Sequence, residues 1–391
     1  MPTGRTYDIV LFGATGFTGG LTAEYLARHA PPGTRWALAG RDPARLAAVR
    51  ERLAAIDPVL GGLDLLTADA GDPAALRVVA AAARVVASTV GPYVHHGDAL
   101  VAACAGAGTD YLDLSGEPEF VDRAYLRHHR TAVAEGARLV HCCGFDSIPY
   151  DLGVHFTVRQ LPEGVPLTVE GFVSASATVS GGTLHSAITA FSRLRPTAEA
   201  ARERRRMEGL PAGRSVHGLP RRPRRESRIG AWALPAPTID PQIVLRSARA
   251  LERYGPSFRY GHYLAVRRLP VALGLAGGVG ALVALAQLPV ARARLLARRK
   301  AGEGPSAQKR AASWFRVVFL GEGGGARVVT EVSGGDPGYG ETAKMLGESA
   351  LCLAFDDLPP CSGQVTTAVA MGDALTARLV AAGIGFRVLE S

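Results

Sequence analysis

Three glycines near the N-terminus have a spacing that suits phosphate binding. Gly13, Gly16 and Gly19 follow the apolar run "YDIVLF" and precede a segment with helical spacing. In such a strand-turn-helix unit the first glycine permits a tight turn, the second lets the backbone approach a pyrophosphate, and the third packs the helix against the strand. The N–H groups at the start of the helix attract the phosphates. We therefore predict a dinucleotide site, the alternative being a turn of this shape without a ligand.

The other residues of the turn belong to the same predicted site. Thr15 and Thr18 offer hydroxyl donors, and Phe17 stands between the last two glycines. Because the strand before the turn and the helix after it are both present in the sequence pattern, the motif has the context that dinucleotide binding requires.

The residue after the second predicted strand decides which dinucleotide is bound. NAD enzymes place Asp or Glu there to hold the ribose hydroxyls, whereas this chain has Arg41 in "LAGRDPARL". A guanidinium suits a 2′-phosphate, and a charged hydrogen bond contributes roughly 1.5–3 kcal/mol, or about ten- to hundredfold in affinity. We predict NADPH as the cofactor. Asp42, before Pro43, is typical of a helix cap, and Arg45 either assists Arg41 or is a surface charge.

Later segments are also predicted to contact the cofactor. Asp69, after the third strand, either meets the adenine edge or caps the following helix. The segment after the fourth strand would lie beside the nicotinamide ribose, through Thr89, Val90, Gly91 and Pro92. Cys143 either lines the pocket or is a small buried residue.

Alternating apolar and helical segments predict the fold that holds these residues. Six short apolar runs separated by helical segments occupy positions 7–12, 35–39, 63–68, 84–89, 111–115 and 138–142. Continuous apolar runs are typical of parallel strands buried on both faces. The fold class is therefore α/β, with an N-terminal Rossmann-type doubly wound parallel sheet that binds ligands at the carboxyl ends of its strands.

The rest of the chain predicts a second domain of a different kind. The chain has 391 residues, more than a single core usually contains. Hairpin patterns such as "SWFRVVFLGEG" followed by "ARVVTEVSGG" favour a mostly antiparallel sheet with one covered face. We predict an NADP-binding domain at 1–150 and an α+β domain for the substrate at 151–391, with C-terminal helices packing back on the first domain.

Several enzyme classes lack their required residues in this chain. No tyrosine has a lysine four positions later, as a short-chain dehydrogenase needs. No His, Cys, Asp or Glu cluster has metal-ligand spacing, so no metal site is predicted. The turn is not G-x-x-x-x-G-K-[ST], so nucleotide hydrolysis is not predicted. The five cysteines include no C-x-x-C pair and the first residues lack a signal-peptide core, which favours a reduced cytoplasmic protein.

Two segments of the second domain have unusual compositions. Residues 201–228 contain ten Arg and three Glu, a net charge of +7, which favours a solvated basic loop or a docking surface for an anionic partner. The tract lacks interleaved aromatic residues, so nucleic acid is not an expected partner. Residues 269–291 are a run of 23 without a charge. This run could cover an acyl-chain groove, dip into a membrane surface or form a buried pair of core helices.

Six motifs, in order, resemble one enzyme family. They are "GATGFTG", "GPY…GDALVAACAGAGTDYLDLSGE", "CGFDSIPYDLG", "SGGT", "GEGPSAQKRAASWFRVVFLGEG" and "VSGGDPGYGETAKML". Together they resemble the saccharopine dehydrogenase-like oxidoreductases, and the last two are similar to the bacterial subgroup of trans-acting enoyl reductases, which act on polyketide-derived lipid precursors. The resemblance runs from about Tyr7 to Val388. It implies a dinucleotide-binding domain, a second α/β domain with a sheet, reduction with NADPH and a homodimer formed through the second sheet.

The function implied by this resemblance is NADPH-dependent reduction of an activated C=C bond in a lipid-like or polyketide-derived acyl substrate. The acyl group would be carried on coenzyme A or an acyl carrier protein. One alternative is reduction of a C=N bond in an amino-acid-derived imine, and another is a lipid- or membrane-associated NADP-binding protein without turnover. The expected location is cytoplasmic, with or without peripheral contact to the inner face of the membrane.

Reduction of an enoyl thioester needs a hydrogen-bond donor at the thioester oxygen and a proton source for the α-carbon. The candidates that the folding pattern would bring near the nicotinamide are Tyr93, Tyr111, Ser147 and His185. Asp146 is predicted at the cofactor site, where it either orients one of these groups or caps the next helix. Glu117 has the same two roles open. The sequence does not choose one proton donor among them.

Overall fold

The structure, a computed structural model, describes residues 4–176, 181–209, 212–297 and 304–391, and it leaves out the side chains of 181–184 and 297. The described residues form two sheets with helices packed on and between them.

The described secondary structure consists of fifteen strands and sixteen α-helices. The strands are β1 (Tyr7–Phe12), β2 (Trp36–Gly40), β3 (Asp64–Thr67), β4 (Ala83–Ser88), β5 (Asp110–Asp113), β6 (Arg138–Val140), β7 (Leu167–Ser176), β8 (Ser215–Gly218), β9 (Arg224–Glu226), β10 (Ala231–Pro235), β11 (Ser257–Val266), β12 (Trp314–Gly323), β13 (Ala326–Gly334), β14 (Gly363–Val365) and β15 (Gly385–Glu390). The helices are α1 (Phe17–His29), α2 (Pro43–Ala54), α3 (Pro73–Ala82), α4 (Tyr93–His96), α5 (Asp98–Ala107), α6 (Pro118–Glu135), α7 (Ile148–Arg159), α8 (Gly181–Ser192), α9 (Leu194–Glu208), α10 (Asp240–Ala250), α11 (Leu269–Gln287), α12 (Pro289–Ala297), α13 (Ala307–Ala311), α14 (Gly340–Phe355), α15 (Thr367–Ala370) and α16 (Gly372–Ala381).

The first sheet has seven parallel strands in the order β14-β6-β5-β4-β1-β2-β3. Its central strands are apolar and buried because helices cover both faces, as the continuous apolar runs predicted. In the register, Phe12 pairs with Ala39 and Ser88, and Ser88 pairs with Asp113. The carboxyl ends of β1, β2, β4 and β5 therefore meet at one edge. The predicted doubly wound sheet is confirmed.

Short capped turns join the strands of this sheet to the helices that follow. Asp42 accepts a hydrogen bond from the backbone N–H of Arg45 at 3.1 Å and so caps α2. Asp72 accepts from two backbone N–H groups at the start of α3. Each cap precedes a proline at the first helical position, whose missing N–H costs nothing there. The helices therefore begin close to the strand ends and keep that edge of the sheet open.

The second sheet has eight strands and is mostly antiparallel. Its main order is β15-β13-β12-β7-β11-β10-β9, and β8 pairs with β11 outside this path. The β7–β11 and β8–β11 pairs are parallel, whereas the other pairs are antiparallel. The hairpin predicted from the sequence is β12–β13, which is in register from Phe315 to Gly323.

The C-terminal part of the chain returns to the first sheet. Helix α14 is buried along most of its length and packs against α1, β1, β4 and β5, while β14 pairs with β6. The hydroxyl of Tyr25 in α1 donates to Glu348 in α14 at 2.6 Å. The sequence patterns at 1–150 supply six of the seven parallel strands, and the seventh comes from beyond residue 360.

Helix α7 packs between the two sheets. It contacts β7, β12 and β13 of the second sheet and follows directly on β6 of the first. Gly153 permits this packing, because a Cβ there would lie 2.5 Å from a ring carbon of Phe319. One apolar cluster runs through both sheets, from Ile9 and Leu11 to Val317 and Phe319. The predicted boundary at residue 150 falls inside α7, and the two-domain division stays a prediction.

The expectation of a solvated basic loop at 201–228 was wrong for the described part of that tract. The tract contains the end of α9 and the strands β8 and β9. Acidic side chains hold some of its arginines in the fold, whereas others, such as Arg205 and Arg221, are exposed. Arg204 is 3% exposed and pairs with Glu208 at 2.9 Å, and Arg224 pairs with Glu170 and Glu226.

The apolar run 269–291 forms α11 and the start of α12. Only 11% of its most apolar 18-residue window is buried, which excludes the alternative of a buried pair of core helices. With a mean hydropathy of 2.1 in that window, α11 is the one helix among the described residues that is long and apolar enough to cross a membrane. It packs along α8, where the Gln287 side chain donates to the carbonyl of Phe191.

Candidate functional site

Two of the three glycines of the turn leave no room for a side chain. Gly13 has φ +94°, and a Cβ there would lie 2.7 Å from both Thr89 Oγ1 and Val90 Cγ2. A Cβ on Gly19 would overlap the carbonyl oxygen of Gly13. Gly16 occupies the N-cap position of α1 without any side-chain cap. The first N–H groups of α1 are therefore available to an anion, because a helix leaves them without intrahelical partners.

The neighbours of the turn hold its shape. The Thr89 hydroxyl, after β4, donates to the Gly13 carbonyl at 3.0 Å. Thr15 and Thr18 are half-buried in the turn. Phe17 packs edge-on against Tyr339 with ring centroids 4.7 Å apart, which ties the turn to the start of α14. Thr89 and Val90, predicted at the cofactor site, are thus in direct contact with the glycine turn.

Two arginines lie at the carboxyl end of β2. Arg41 is exposed and has no ion pair or hydrogen bond with the described residues. Arg45 donates from Nη2 to the Thr15 carbonyl at 3.3 Å, so its guanidinium reaches the glycine turn. Asp42 is occupied as the cap of α2, which leaves the positive charges of Arg41 and Arg45 for an anionic group.

Asp69 does not cap the helix after β3, because Asp72 does. The Asp69 carboxylate accepts a hydrogen bond from the Gly71 N–H at 2.8 Å and is exposed. A contact between Asp69 and the adenine stays a prediction.

The segment after β4 leads from the glycine turn to α4. Gly91 is exposed, and Pro92 is the N-cap residue of α4. The Tyr93 hydroxyl donates to the Ser88 carbonyl at 3.1 Å and accepts from the Leu114 N–H at 3.2 Å. Burial raises the pKa of Tyr93 well above its ordinary value. These contacts give the Tyr93 hydroxyl a structural role between β4 and β5.

Glu117 has a structural partner that the sequence did not suggest. Its carboxylate accepts from the backbone N–H groups of Tyr93 and Val94 at 3.0 and 2.9 Å, so it caps α4 rather than its own helix. The Ser186 hydroxyl of α8 donates to the same carboxylate at 3.1 Å. Helix α8 therefore lies over this edge of the first sheet, and His185 lies beside Ser186 on it.

Tyr111 and Cys143 are fully buried. The Tyr111 hydroxyl has no hydrogen-bond partner among the described residues, and its ring packs edge-on against His141. The Cys143 N–H donates to the Asp113 carbonyl at 2.7 Å. Asp113 also accepts a 2.6 Å hydrogen bond from His141 Nδ1, and both side chains are buried. This pair fixes the loop after β6.

Asp146 lies in that loop, partly exposed at the edge of the sheet. Its carboxylate is close to Gly116, where a Cβ would lie 3.4 Å from Asp146 Oδ1. Burial of the carboxyl group, and the charges of Asp113 and Glu117, raise the pKa of Asp146 to about 7. Near neutral pH this side chain is therefore protonated in a large fraction of molecules, as a general acid requires.

Ser147 starts a buried chain of hydrogen bonds between the two sheets. Its hydroxyl donates to Asp240 at 3.1 Å and does not cap α7. Asp240 lies 3.4 Å from His262 Nε2, and His262 Nδ1 lies 3.0 Å from the Tyr260 hydroxyl. Burial raises the pKa of Asp240 to about 8 and lowers that of His262 to about 3. Burial therefore favours the uncharged form of both side chains.

The structure thus gathers most of the predicted site residues at one edge of the first sheet. The glycine turn, Arg41, the segment 89–92 and Asp146 follow neighbouring strands there. The side chains of Asp113, Ser186 and Asp240 also contact residues at this edge, and they were not identified from the sequence. No local spacing marks them, because each acts through a residue far away in the sequence.

Comparisons with known proteins assign the chain to a family. The family described as "Saccharopine dehydrogenase NADP binding domain" matches residues 9–140. A protein of Mycobacterium tuberculosis named putative trans-acting enoyl reductase is 41% identical, with 98% of both chains covered. A trans-acting enoyl reductase of Mycobacterium ulcerans is 37% identical, with 97% of both chains covered. The chain belongs to the trans-acting enoyl reductase family. It is an NADPH-dependent oxidoreductase, as the sequence motifs predicted.

A solved structure has the same fold at low identity. Apo saccharopine dehydrogenase (L-Glu forming) from Saccharomyces cerevisiae superposes with a TM-score of 0.56 at 14% identity, covering 98% of this chain and all of that one. The likeness supports the arrangement of a Rossmann-type sheet and a second, mostly antiparallel sheet in the present chain.

The residues of the turn fit NADPH. The space that a Cβ would fill at Gly13 and Gly19, and the uncapped start of α1, suit a pyrophosphate. Arg41 and Arg45 supply two cations for a 2′-phosphate at the end of β2.

Proposed function

We propose that this protein reduces the activated C=C bond of a lipid-like or polyketide-derived acyl thioester. The observation that carries the proposal is the full-length similarity, at 37–41% identity, to proteins named as trans-acting enoyl reductases. The site supports it with a carboxylic acid near neutral pKa at the cofactor edge and with an apolar helix beside it.

In the proposed reaction, bound NADPH supplies a hydride to the β-carbon of the enoyl group. The protein would hold NADPH through the glycine turn and through Arg41 and Arg45. Asp146, protonated near pH 7, delivers a proton to the α-carbon and ends the step as a carboxylate. The Glu117 carboxylate joins α4 to α8 through Ser186, and its charge acts on Asp146.

We propose Asp146 as the proton donor ahead of the four residues first considered. The Tyr93 hydroxyl is held between two backbone groups, the Ser147 hydroxyl is bonded to Asp240, and Tyr111 is fully buried within β5. His185, beside Ser186 on α8, remains a candidate donor to the thioester oxygen. A role in catalysis for any of these four stays a prediction.

Helix α11 indicates an apolar substrate. Its exposed side chains include Val271, Leu273 and Leu275, which are 44–65% exposed. Helix α11 packs along α8, and α8 contacts Glu117 through Ser186, so α8 connects the apolar helix to the proposed site. We propose that it receives the acyl chain, either alone or together with a membrane surface.

The charges around α11 favour the membrane form of this contact. Arg267 and Arg268 precede the helix, and Arg292 and Arg294 follow it. Basic residues at both ends of an exposed apolar helix suit an interface with anionic lipids. We propose a cytoplasmic enzyme with peripheral contact to the membrane.

The carrier of the acyl group and the oligomeric state complete the proposal. Coenzyme A and an acyl carrier protein would both present a thioester, and substrate comparison separates them. We propose a homodimer through the edge of the second sheet, where β15 leaves Val388 and Leu389 more than 40% exposed. An unpaired strand edge with apolar side chains is a usual site of pairing between chains. The mass of the protein in solution tests this part.

Substrate-dependent oxidation of NADPH tests the proposed function. The full chain is incubated with 2-enoyl thioesters of coenzyme A and of acyl carrier protein, and separately with an amino acid and an aldehyde that form an imine. We expect oxidation with an enoyl thioester and none with the imine. Oxidation of NADPH with the imine alone would overturn the proposal. Firm binding of NADPH without oxidation by any of these substrates would also overturn it.

A further inference from the structure

A cavity lies at the β6–β14 edge of the first sheet. It has a volume of about 360 Å³ and is lined by α6, α9 and α10 together with the ends of β6 and β14. The glycine turn follows β1, which is separated from β6 by β4 and β5. The cavity is thus distinct from the predicted cofactor-binding turn.

Charged side chains from three helices line or support this cavity. Arg204 of α9 stacks over the ring of Tyr125 and bonds to Glu208 at 2.9 Å. Arg246 of α10 pairs with Asp122 of α6, and Arg249 pairs with Glu208 at 3.3 Å. These five ionic groups comprise three guanidinium groups and two carboxylates. Their formal charges sum to +1.

Three nitrogen atoms of the lining residues have no hydrogen-bond partner among the described residues. They are Nη1 of Arg246, Nε of Arg249 and Nε2 of His141. Arg246 is 9% exposed and His141 is 2% exposed. A buried polar atom without a partner costs about 1–3 kcal/mol, and more when the group is charged. Three such atoms around one cavity indicate that a polar ligand completes them.

The electrostatics of the cavity favour an anion. Burial and the charge of Arg204 lower the pKa of Arg246 to about 10, while Asp122 and Glu208 oppose the shift. Burial and Arg204 also lower the pKa of His129, which lines the same cavity. The two carboxylates therefore leave positive charge uncompensated, and an anion between the guanidinium groups would restore the balance.

The arrangement of the partnerless atoms selects among anions. The three nitrogens lie on two separate parts of the chain, α10 and the residue after β6, and a carboxylate has only two oxygens to contact them. His141 Nδ1 is bonded to Asp113, so that Nε2 can accept a hydrogen bond from a P–OH group when the ring is neutral. A phosphate group supplies both the acceptor oxygens and the hydroxyl. The cavity is also larger than one phosphate ion.

We propose that this cavity is a second ligand site that binds a phosphate group, either as inorganic phosphate or as the end of a small phosphate monoester. The Arg246 and Arg249 guanidinium groups hold its oxygens, and His141 holds its hydroxyl. The inference does not rest on the proposed function, because it concerns binding alone.

Calorimetric titration of the full chain tests the proposal. The protein is first saturated with NADPH, so that the cofactor site is filled, and is then titrated with inorganic phosphate and with phenyl phosphate. We expect one saturable site for at least one probe. Binding of phosphate alone would identify the free ion as the ligand, and binding of the ester as well would identify a monoester.

Three variants assign the binding to the cavity. Arg249→Gln should weaken it by about tenfold or more, since a charged hydrogen bond is lost. Glu208→Gln should strengthen it, because a competing negative charge is removed. Arg205→Gln is the matched control, since Arg205 is exposed on α9 and does not line the cavity.

Two results would overturn the proposal. One is the absence of saturable binding of either probe to the NADPH-saturated protein. The other is an equal loss of binding in the Arg205 and Arg249 variants. Loss of stability cannot imitate the expected pattern, because Glu208→Gln must tighten binding while Arg249→Gln weakens it.

Discussion

Arg41 stands exposed at the carboxyl end of β2, with no acidic partner among the described residues. A guanidinium in this position attracts a 2′-phosphate and gains nothing from the ribose hydroxyls of NAD. We predict that Arg41→Ala weakens NADPH binding about ten- to hundredfold and leaves NADH binding nearly unchanged. Fluorescence titration with both cofactors measures this. Arg28→Ala, at an exposed position late in α1, is the control, and equal losses for NADPH and NADH would contradict the assignment.

Asp146 is the second residue with a measurable role. Its raised pKa, about 7, means that the acid form predominates below pH 7 and is lost as the pH rises through that value. We therefore predict that kcat falls as the pH rises through about 7. Asp146→Asn should remove this titration and lower kcat by about a hundredfold or more, with NADPH affinity retained.

The control for Asp146 is Asp357→Asn, at an exposed carboxylate outside the proposed site. That variant should keep the wild-type pH profile. If Asp146→Asn retains both the turnover and the titration near pH 7, the acid is elsewhere and the proposed role is wrong.

The turn between β1 and α1 makes a prediction at the scale of an element. A methyl group on Gly19 would overlap the Gly13 carbonyl, which forces the strand and the helix apart. We predict that Gly19→Ala abolishes measurable NADPH binding and lowers the melting temperature. Gly106→Ala, in α5 with open space around it, should leave binding unchanged and stabilise the helix slightly. Normal NADPH binding by the Gly19 variant would contradict this account of the turn.

Helix α11 makes another prediction at this scale. Leu273 is 65% exposed on α11, and Val78 is 70% exposed on α3. If α11 enters a lipid surface, Leu273→Asp should lower binding to vesicles that contain anionic lipid by about tenfold or more, because an aliphatic side chain can no longer be buried. Val78→Asp should have no effect. Sedimentation with vesicles measures both, and equal behaviour of the two variants would exclude α11 as the contact.

Elements encoded by neighbouring residues could be predicted from the sequence, whereas elements that depend on contacts between distant residues could not. The strand-turn-helix of Gly13 and Gly19 and the cap at Asp42 are encoded by neighbouring residues. The tract 201–228 was mistaken for a loop because Arg204 and Arg224 pair with Asp122 and Glu170, which lie far from them in sequence. Composition alone cannot show such partners.

At the scale of the whole molecule, the C-terminal segment is part of the cofactor-binding layer. Helix α14 covers the first sheet, and β14 extends it to seven strands. Three-residue β14 carries too little pattern to be recognised as a strand, so the sequence supplied only six. The Ser147–Asp240–His262 chain, which joins the sheets, was missed because Ser147 and Asp240 are 93 residues apart in the sequence.

One apolar core passes through both sheets, so the relative position of cofactor and substrate depends on the whole chain. The glycine turn touches the start of α14 through Phe17 and Tyr339, and α8 reaches the edge of the first sheet through Ser186 and Glu117. Residues from both halves of the chain therefore surround the proposed reaction site.

Transfer of deuterium from labelled NADPH tests the central claim most directly. The full chain is incubated with NADPH that carries deuteride and with 2-enoyl thioesters of increasing chain length, and the products are analysed by mass spectrometry. We predict one deuterium at the β-carbon, with a rate that rises with chain length. Absence of the label from every product, while NADPH binds tightly, would contradict enoyl reduction by this protein.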